Sequence, residues 1–385
     1  MSAVPQCPPV PSPRYASVLF DSWIEGYAAT LNGLGKCWAA TLERGPGALD
    51  FSRWLTTATT RQPPSWTTPH EIVFEGPLAR LRDFSVSRRR VVPTLVLPPQ
   101  AGHDSCIVDY SKSQSQMRTI VDAGLTRAYT LDWIGATQAT KDATIDDYLE
   151  VIDRSIDHAG GRVNLIGDCQ GGWLAAIYAA LHPERVNTLT LAGAPIDFHA
   201  GEPVIHELLQ ALAPGGNLWL YEALVAAGGG ILRGEHMLGG FIALRPGDEI
   251  SRQLELLINL EDPAHVARYQ EFEDWFKHTQ DIAGTFYLWI MRHLFRDNEL
   301  VRARLRVGGQ RVDLARIDMP LNLMAGARDH ITPPDQVFAI THHVASPPDL
   351  IHSDVTEGGH LGLFMGHQAL REHWPPLLAE VLRHS

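Results

Sequence analysis

The stretch GDCQGGW, residues 167–173, sets a thiol, Cys169, among glycines. The apolar run VNLIG precedes it and a helix-forming run, QGGWLAAIYAAL, follows. A strand that turns sharply into a helix through Gly-x-nucleophile-x-Gly holds the central side chain out of the sheet, at the helix N-terminus. The partial positive charge there favours a thiolate, the reactive form of cysteine. A buried structural cysteine is the commoner fate of this residue type. Gly167 and Gly171 argue for the nucleophile, because they free a tight turn from side-chain collisions.

A thiol nucleophile needs a base, and the base needs an orienting acid. Around elbows of this kind the chain order is nucleophile, acid, histidine. Asp329 ends the apolar run PLNLMAGARD, and His360 lies on the GGH loop after the next strand. The chain holds 18 histidines, so position and not residue type singles out His360. Asp335, just past Pro333 and Pro334, competes as the acid but reads as a solvated carboxylate in the first turn of a helix. His330, beside Asp329, is either a support for the acid or a substrate-side group. The oxyanion formed on attack needs amide donors. Gln170, after the nucleophile, is one; the second lies near Gln100, Ala101 or Gly102, after the early strand VVPTLVLPP.

A thiol also carries an energetic consequence. An acyl group on serine is an oxygen ester, close in energy to a product ester. On cysteine it is a thioester and keeps the transfer potential of a thioester donor such as an acyl-coenzyme A. Loading is then nearly neutral, and transfer to a hydroxyl runs downhill. The residue suits ester synthesis from thioesters, and cysteine hydrolases remain the alternative.

These residues need a scaffold. From about residue 70 strands and helices alternate: an antiparallel pair in EIVFEGPLARLRDFSV, then strands VVPTLVLPP, TRAYTLDW, VNLIGD and VNTLTLAGAP. Between them lie the helices SQSQMRTIVDAG, closed by Gly124, IDDYLEVIDRSIDHAGG, capped by Thr144, and the helix after Cys169. Such alternation predicts an α/β fold, a mostly parallel sheet with helices on both faces. Residues 199–312 break the pattern with helix-forming stretches and no clear strands. Two more strands and a closing helix then complete it. The expected organisation is a Pro-rich tail and helical segment at 1–69, core at 70–198 and 313–385, and a helical cap, or lid, at 199–312 over the strand ends. The tail, about residues 1–13, reads as disordered. The front helix, about 15–44, carries Trp23 and Trp38 and is followed by Trp54. Its apolar surface is expected to pack on the main domain, with docking to a partner or a hydrophobic particle as the alternative.

Composition narrows the chemistry. A formal charge of −12 excludes nucleic acid as the main partner, which would want a basic face. No apolar run is long enough to span a bilayer, and the start lacks a secretory h-region. Four scattered cysteines, Cys7, Cys37, Cys106 and Cys169, fit reduced thiols in a cytoplasm. No metal-ligand spacing is present, so neither a metal nor a tightly bound cofactor is expected.

The same residues resemble a known family, the polyhydroxyalkanoate synthases of the α/β-hydrolase superfamily, and in particular the short type that works with an accessory subunit. The likeness runs from about residue 70 to the C-terminus. VNLIGDCQGGWLAAIYAALHPERVNTLTLAGAPIDF is similar to the family's nucleophile region, and LDWIGATQATKDATIDDYLE to its Asp-Trp segment. VGGQRVDLARIDMPLNLMAGARDHITPPD resembles the stretch bearing the acid, and EGGHLG the one bearing the histidine. The resemblance implies that Cys169 carries the acyl chain, His360 activates it and Asp329 orients His360. It also implies 3-hydroxyacyl-CoA as substrate, a growing polyester as product, an accessory subunit or a homodimer as partner, and a place in the cytoplasm on polyester granules. One stretch departs: where synthases carry Asn, a basic residue and aromatics, this chain reads PPQAGHDSCIVDYSKSQSQ. That loop borders the acyl pocket. An intracellular depolymerase or thioesterase with the same three residues therefore stands as the alternative, and a non-catalytic granule-surface protein as a remote third.

Overall fold

A computed structural model describes residues 13–45, 49–87, 91–201, 204–205, 209 and 214–385, without the side chains of residues 13–23. The expected disorder of the Pro-rich start, and Cys7 with it, falls almost wholly on residues 1–12, outside this set. The centre is an eight-stranded sheet. Its strands are β1 (Glu71–Glu75), β2 (Ala79–Asp83), β3 (Thr94–Leu97), β4 (Ala128–Trp133), β5 (Val163–Asp168), β6 (Val186–Ala192), β7 (Leu321–Gly326) and β8 (Ile351–Thr356). The spatial order is β1-β2-β4-β3-β5-β6-β7-β8. β1 pairs antiparallel with β2, and β2 with β4; the other neighbours run parallel. Every residue of β3, β4, β5, β6 and β7 is buried, as strands covered on both faces require.

Local signals set the helices. Before β1 run α1 (Pro13–Arg44) and α2 (Phe51–Thr59). Between strands lie α3 (Gln116–Asp122), α4 (Ile145–Ala159) and α5 (Gln170–Leu181). The Asp147 carboxylate accepts from the Thr144 N–H and hydroxyl, both at 2.7 Å, which satisfies a free donor at the start of α4. α5 is buried on every side, between sheet and cap. The closing helix differs from the single one expected: it opens as a π-helical turn, Ala369–His373, and continues as Trp374–Arg383.

The segment between β6 and β7 holds α6 (Trp219–Ala227), α7 (Gly234–Leu244), α8 (Pro246–Ile258), α9 (Pro263–Phe276) and α10 (Gly284–Trp289), the last running into a π-helical turn. Two pairs of two-residue strands also occur there, Ile231–Leu232 with Ile282–Ala283, and Arg306–Val307 with Gln310–Arg311. Pairings of two residues are too short to leave a period in the sequence.

The front segment corrects an expectation. α1 packs on α8 through its small residues, with Gly26, Gly33, Cys37 and Ala40 buried. A Cβ on Gly33 would lie 2.1 Å from Leu254 Cδ1, so the glycine leaves room for the Leu254 side chain between the two helices. The large apolar side chains instead face outward, Trp38 being 68% exposed. Trp54 is half-buried and donates from Nε1 to the Gln253 carbonyl at 3.1 Å.

Candidate active site

β5 delivers the chain to the sheet's C-terminal edge, and the turn into α5 is built on absent side chains. Cys169 sits at φ +50° and ψ −115°, a conformation rarely adopted outside glycine and sustained only when the surroundings enforce it. Its N–H donates to the Ala192 carbonyl at 2.8 Å, and its own carbonyl accepts from the Gly172 N–H at 2.9 Å. A Cβ on Gly171 would lie 1.9 Å from the Leu97 carbonyl oxygen, and one on Gly172 2.2 Å from Ala194 Cβ. Gly172, which spacing did not single out, is as constrained as Gly171.

β7 and β8 bring the other two groups. His360 Nδ1 and Asp329 Oδ2 stand 2.6 Å apart, both side chains almost fully buried. Asp329 Oδ1 accepts from the Ile331 and Thr332 amides at 2.9 and 2.8 Å, so the carboxylate cannot rotate away from the ring. Burial alone would lower the His360 pKa. The Asp329 charge, the Cys169 charge and a hydrogen bond to each of them outweigh it and hold the ring well above its ordinary value. With Nδ1 taken by Asp329, Nε2 is the nitrogen left for Cys169. The structure thus brings together Cys169, His360 and Asp329, the three residues that the sequence singled out. Asp335 is exposed at the start of a short helix, Pro334–Phe338, and has no bond to His360.

A cavity of about 700 Å³ opens in front of Cys169. Cys169, Gln170, Ala101 and His360 line its sheet side, while Met237, Phe241, Phe272, Trp275, Phe276 and Tyr287 line its cap side. The three positions considered for the second oxyanion donor separate. The Gln100 side chain donates to the Tyr148 hydroxyl at 3.1 Å. Ala101 borders the cavity, whereas Gly102, at φ +84°, turns its carbonyl to accept from the Gln280 N–H at 2.8 Å. His330 lines the cavity with a buried, unpartnered Nδ1. Burial and then the Arg245 charge push its pKa down.

Two features escaped the sequence. The loop that departs from the synthase pattern is latched to the cap. The His103 ring stacks on Trp275 and Phe276 with centroids 5.1 and 5.4 Å apart, and burial pushes its pKa down to about 4. Trp275 Nε1 donates to the Asp104 carbonyl at 3.0 Å, and Gln280 Nε2 to its carboxylate at 3.2 Å. The other feature is Asp168, buried at the end of β5 beside the thiol, where burial pushes its carboxyl up to about 8. A charged residue type closing a mostly apolar strand was the available signal. Among the described residues no cluster of three or more His, Cys, Asp or Glu could hold a metal ion.

The family described as "Protein of unknown function (DUF3141)" matches residues 80–376. The chain is 28% identical over 282 residues to the "Poly(3-hydroxyalkanoate) polymerase subunit PhaC" of Allochromatium vinosum, covering 70% of this chain and 75% of that one. The protein of the same name from Haloferax mediterranei is 28% identical over 324 residues, 80% of this chain and 62% of that one. Among solved structures, the monoacylglycerol lipase of Paleococcus ferrophilus aligns with a TM-score of 0.52 at 19% identity, over 80% of this chain and 99% of that one. That likeness is one of fold. No described helix is long and apolar enough to cross a membrane. Because the match at residues 80–376 takes in well over half of the chain, the protein belongs to the DUF3141 family, with an α/β-hydrolase fold and kinship to the poly(3-hydroxyalkanoate) polymerases.

Proposed function

We propose that the protein is an acyltransferase that polymerises 3-hydroxyacyl-CoA into polyester through a thioester on Cys169. The observation that carries this is the Cys169 thiol, held by its elbow against the His360–Asp329 pair, under an apolar cavity in a relative of polyester polymerases. The Cys169 thiolate attacks the thioester carbonyl of the substrate. The amides of Gln170 and of the Ala101–Gly102 loop receive the oxyanion. The C–S bond to coenzyme A breaks, and the departing thiolate takes the proton held by His360. In the second half, His360 removes the proton from the hydroxyl of the chain end as that oxygen attacks the Cys169 thioester. The ester forms and the thiol side chain is released. Asp329 keeps the ring oriented and its positive form stable in both halves. Nucleophile and base are both side chains, so activity is expected to survive excess chelator; loss restored by added metal would overturn that part. Work on granules in the cytoplasm, with an accessory subunit or a second copy, completes the proposal.

The departure at PQAGHDS favours a second reading, hydrolysis of polyester or thioester by the same three residues. Purified protein given 3-hydroxybutyryl-CoA is expected to release free thiol and turn turbid with insoluble polymer. Thiol release yielding only free hydroxy acid would establish a thioesterase. Soluble acids from amorphous polyester granules, without thiol release, would establish a depolymerase.

A further inference from the structure

We propose that the cavity takes the acyl tail of its substrate under α7 and α9, and that Gly240 makes room there for 3-hydroxyacyl groups of about ten carbons. The proposal rests on the acyl-enzyme at Cys169 and adds the length of the chain that it carries.

Volume sets the scale. At interior packing density a heavy atom takes roughly 20 Å³. A cavity of about 700 Å³ therefore holds roughly 35 of them. A pantetheine arm supplies eighteen and a 3-hydroxybutyryl group six, which leaves roughly eleven unfilled. After coenzyme A departs, the polyester chain end takes the place of the arm, so the unfilled part is left to the tail.

The lining says where that part lies. Phe241 and Phe276 flank the His103 ring at 5.7 and 5.4 Å, Phe272 stacks on Phe276 at 5.2 Å, and Met237 lies against Gly102. All four are half-buried and border the cavity, beside Ala101. Burial keeps His103 neutral. Arg252 and Glu249 also line the cavity, but their charges are spent on Glu273 and Lys277. The amides of a pantetheine arm would find no partners among these rings, and burying them unpaired is costly. Methylenes gain by the same transfer.

Gly240 sets the length. It lies on the cavity side of α7, next to Phe241 and one turn from Met237. A glycine inside a helix weakens it. Here neither a left-handed φ nor a close approach requires one, since an added Cβ would meet nothing within 4 Å. The space it leaves belongs to the cavity. Gly239 is equally unconfined, yet it is exposed and outside the lining, which makes it the control for helix stiffness.

The pocket can be read without turnover, as the protection of Cys169 from iodoacetamide by free 3-hydroxy acids. 3-Hydroxydecanoate is expected to halve alkylation at a concentration at least about a hundredfold below that of 3-hydroxybutyrate, since each buried methylene is worth roughly fourfold. Gly240→Leu should shrink that ratio at least about tenfold, because its four carbons displace as many methylenes of the tail. Gly239→Leu, away from the lining, should leave the ratio within about twofold. Equal protection by the two acids, an unchanged ratio in Gly240→Leu, or the same fall in both glycine variants would each overturn the proposal. Turnover separates it from the acyl-transfer reading. kcat/KM for thiol release should follow the same order with the two CoA thioesters, 3-hydroxybutyryl-CoA being the poorer substrate; the reverse order would overturn the proposal. Thiol release from neither, with the protection pattern intact, would remove acyl transfer and leave the pocket to a hydrolase of long 3-hydroxyacyl esters.

Discussion

The two walls of the cavity are built on different physics. The sheet wall is backbone: Cys169 is fixed by two main-chain hydrogen bonds, and Gly171 and Gly172 leave no room for even one more carbon. The cap wall is side chain: aromatic faces on α7 and α9, with a knot of ion pairs behind them. There the fully buried Glu273 carboxylate meets Arg252 at 2.7 Å, Lys277 at 2.8 Å and Arg61 at 3.0 Å. Glu249 adds contacts to Lys277, at 2.7 Å, and to Arg252. A backbone wall holds reacting atoms in one geometry, as covalent catalysis demands. A side-chain wall can be re-cut for other substrates without disturbing that geometry, and Trp275 and Gln280 tie it to residues 102–104 of the sheet side.

The largest expected effect strikes the sheet wall chemically. Cys169→Ala should lower acyl transfer by at least about a thousandfold, as removal of a nucleophile does elsewhere. Cys169→Ser should recover little, since an oxygen ester lacks the transfer potential of a thioester. Incubation of the native protein with 3-hydroxybutyryl-CoA should leave the acyl mass on Cys169 in a peptide map. An adduct elsewhere, or an active alanine variant, would sink the assignment.

Next comes the same wall struck sterically. Gly171→Ala drives a methyl into the Leu97 carbonyl. Overpacking costs about 1–3 kcal/mol where atoms can yield, and a strand backbone yields little. Melting is expected to fall by roughly 4 °C, the upper end of what such a cost produces in a chain of this size, and activity to fall with it. Unchanged melting would mean that the elbow is looser than the structure shows.

The cap should respond more mildly. Glu273→Ala removes the carboxylate on which three cations converge. Breaking a buried pair costs about 3–5 kcal/mol when it strands a charge; here Glu249 still holds Arg252 and Lys277, and about 2 kcal/mol is expected. The informative readout is a split. KM for the acyl-CoA should rise while the alkylation rate of Cys169 by iodoacetamide stays within about twofold, since the sheet wall is untouched. Equal losses in both would show the walls to be one unit.

This contrast also explains what the sequence disclosed. The sheet wall was legible because its determinants are local: an apolar strand, glycines on either side of a thiol, then a helix, with Asp329 and His360 following in chain order. Each is a statement about a dozen residues at most. The cap wall was legible only as helix. Which face of α9 meets the cavity, and that His103 slots against Trp275 and Phe276, depend on residues about 170 positions apart. α1 shows the same limit. Its period revealed an apolar helix, but a helix with a small-residue face and a large-residue face has two sides that could be buried. Only the space beneath Leu254 decides between them.

The smallest effect concerns Asp168, buried in the sheet wall. Asp168 accepts from Gln116 Nε2 at 3.2 Å through Oδ1, while its Oδ2 and the Gln116 Oε1 are both buried without partners. A proton on Oδ2 lets acid and amide satisfy each other, which agrees with burial pushing this carboxyl up to about 8 against the opposing pull of the Gln116 bond and the His360 charge. An ordinary aspartate titrates near 3.9, so the folded protein binds this proton more tightly than the unfolded chain does. Its contribution to stability is complete below about pH 4 and is lost as pH rises through about 8. Asp168→Asn keeps the shape and removes the titration. Native and variant proteins should melt within about 1 °C of each other near pH 4, the width of a fraction of a kcal/mol in a chain of this length. At pH 9 the variant should melt higher, because only the native chain must then bury a charge. Other titrating groups are common to both proteins and cancel in the difference. A gap that stays constant from pH 6 to 9 would show that Asp168 is ionised throughout. The thiol would then share its end of the sheet with a second negative charge, and His360 would have to offset both.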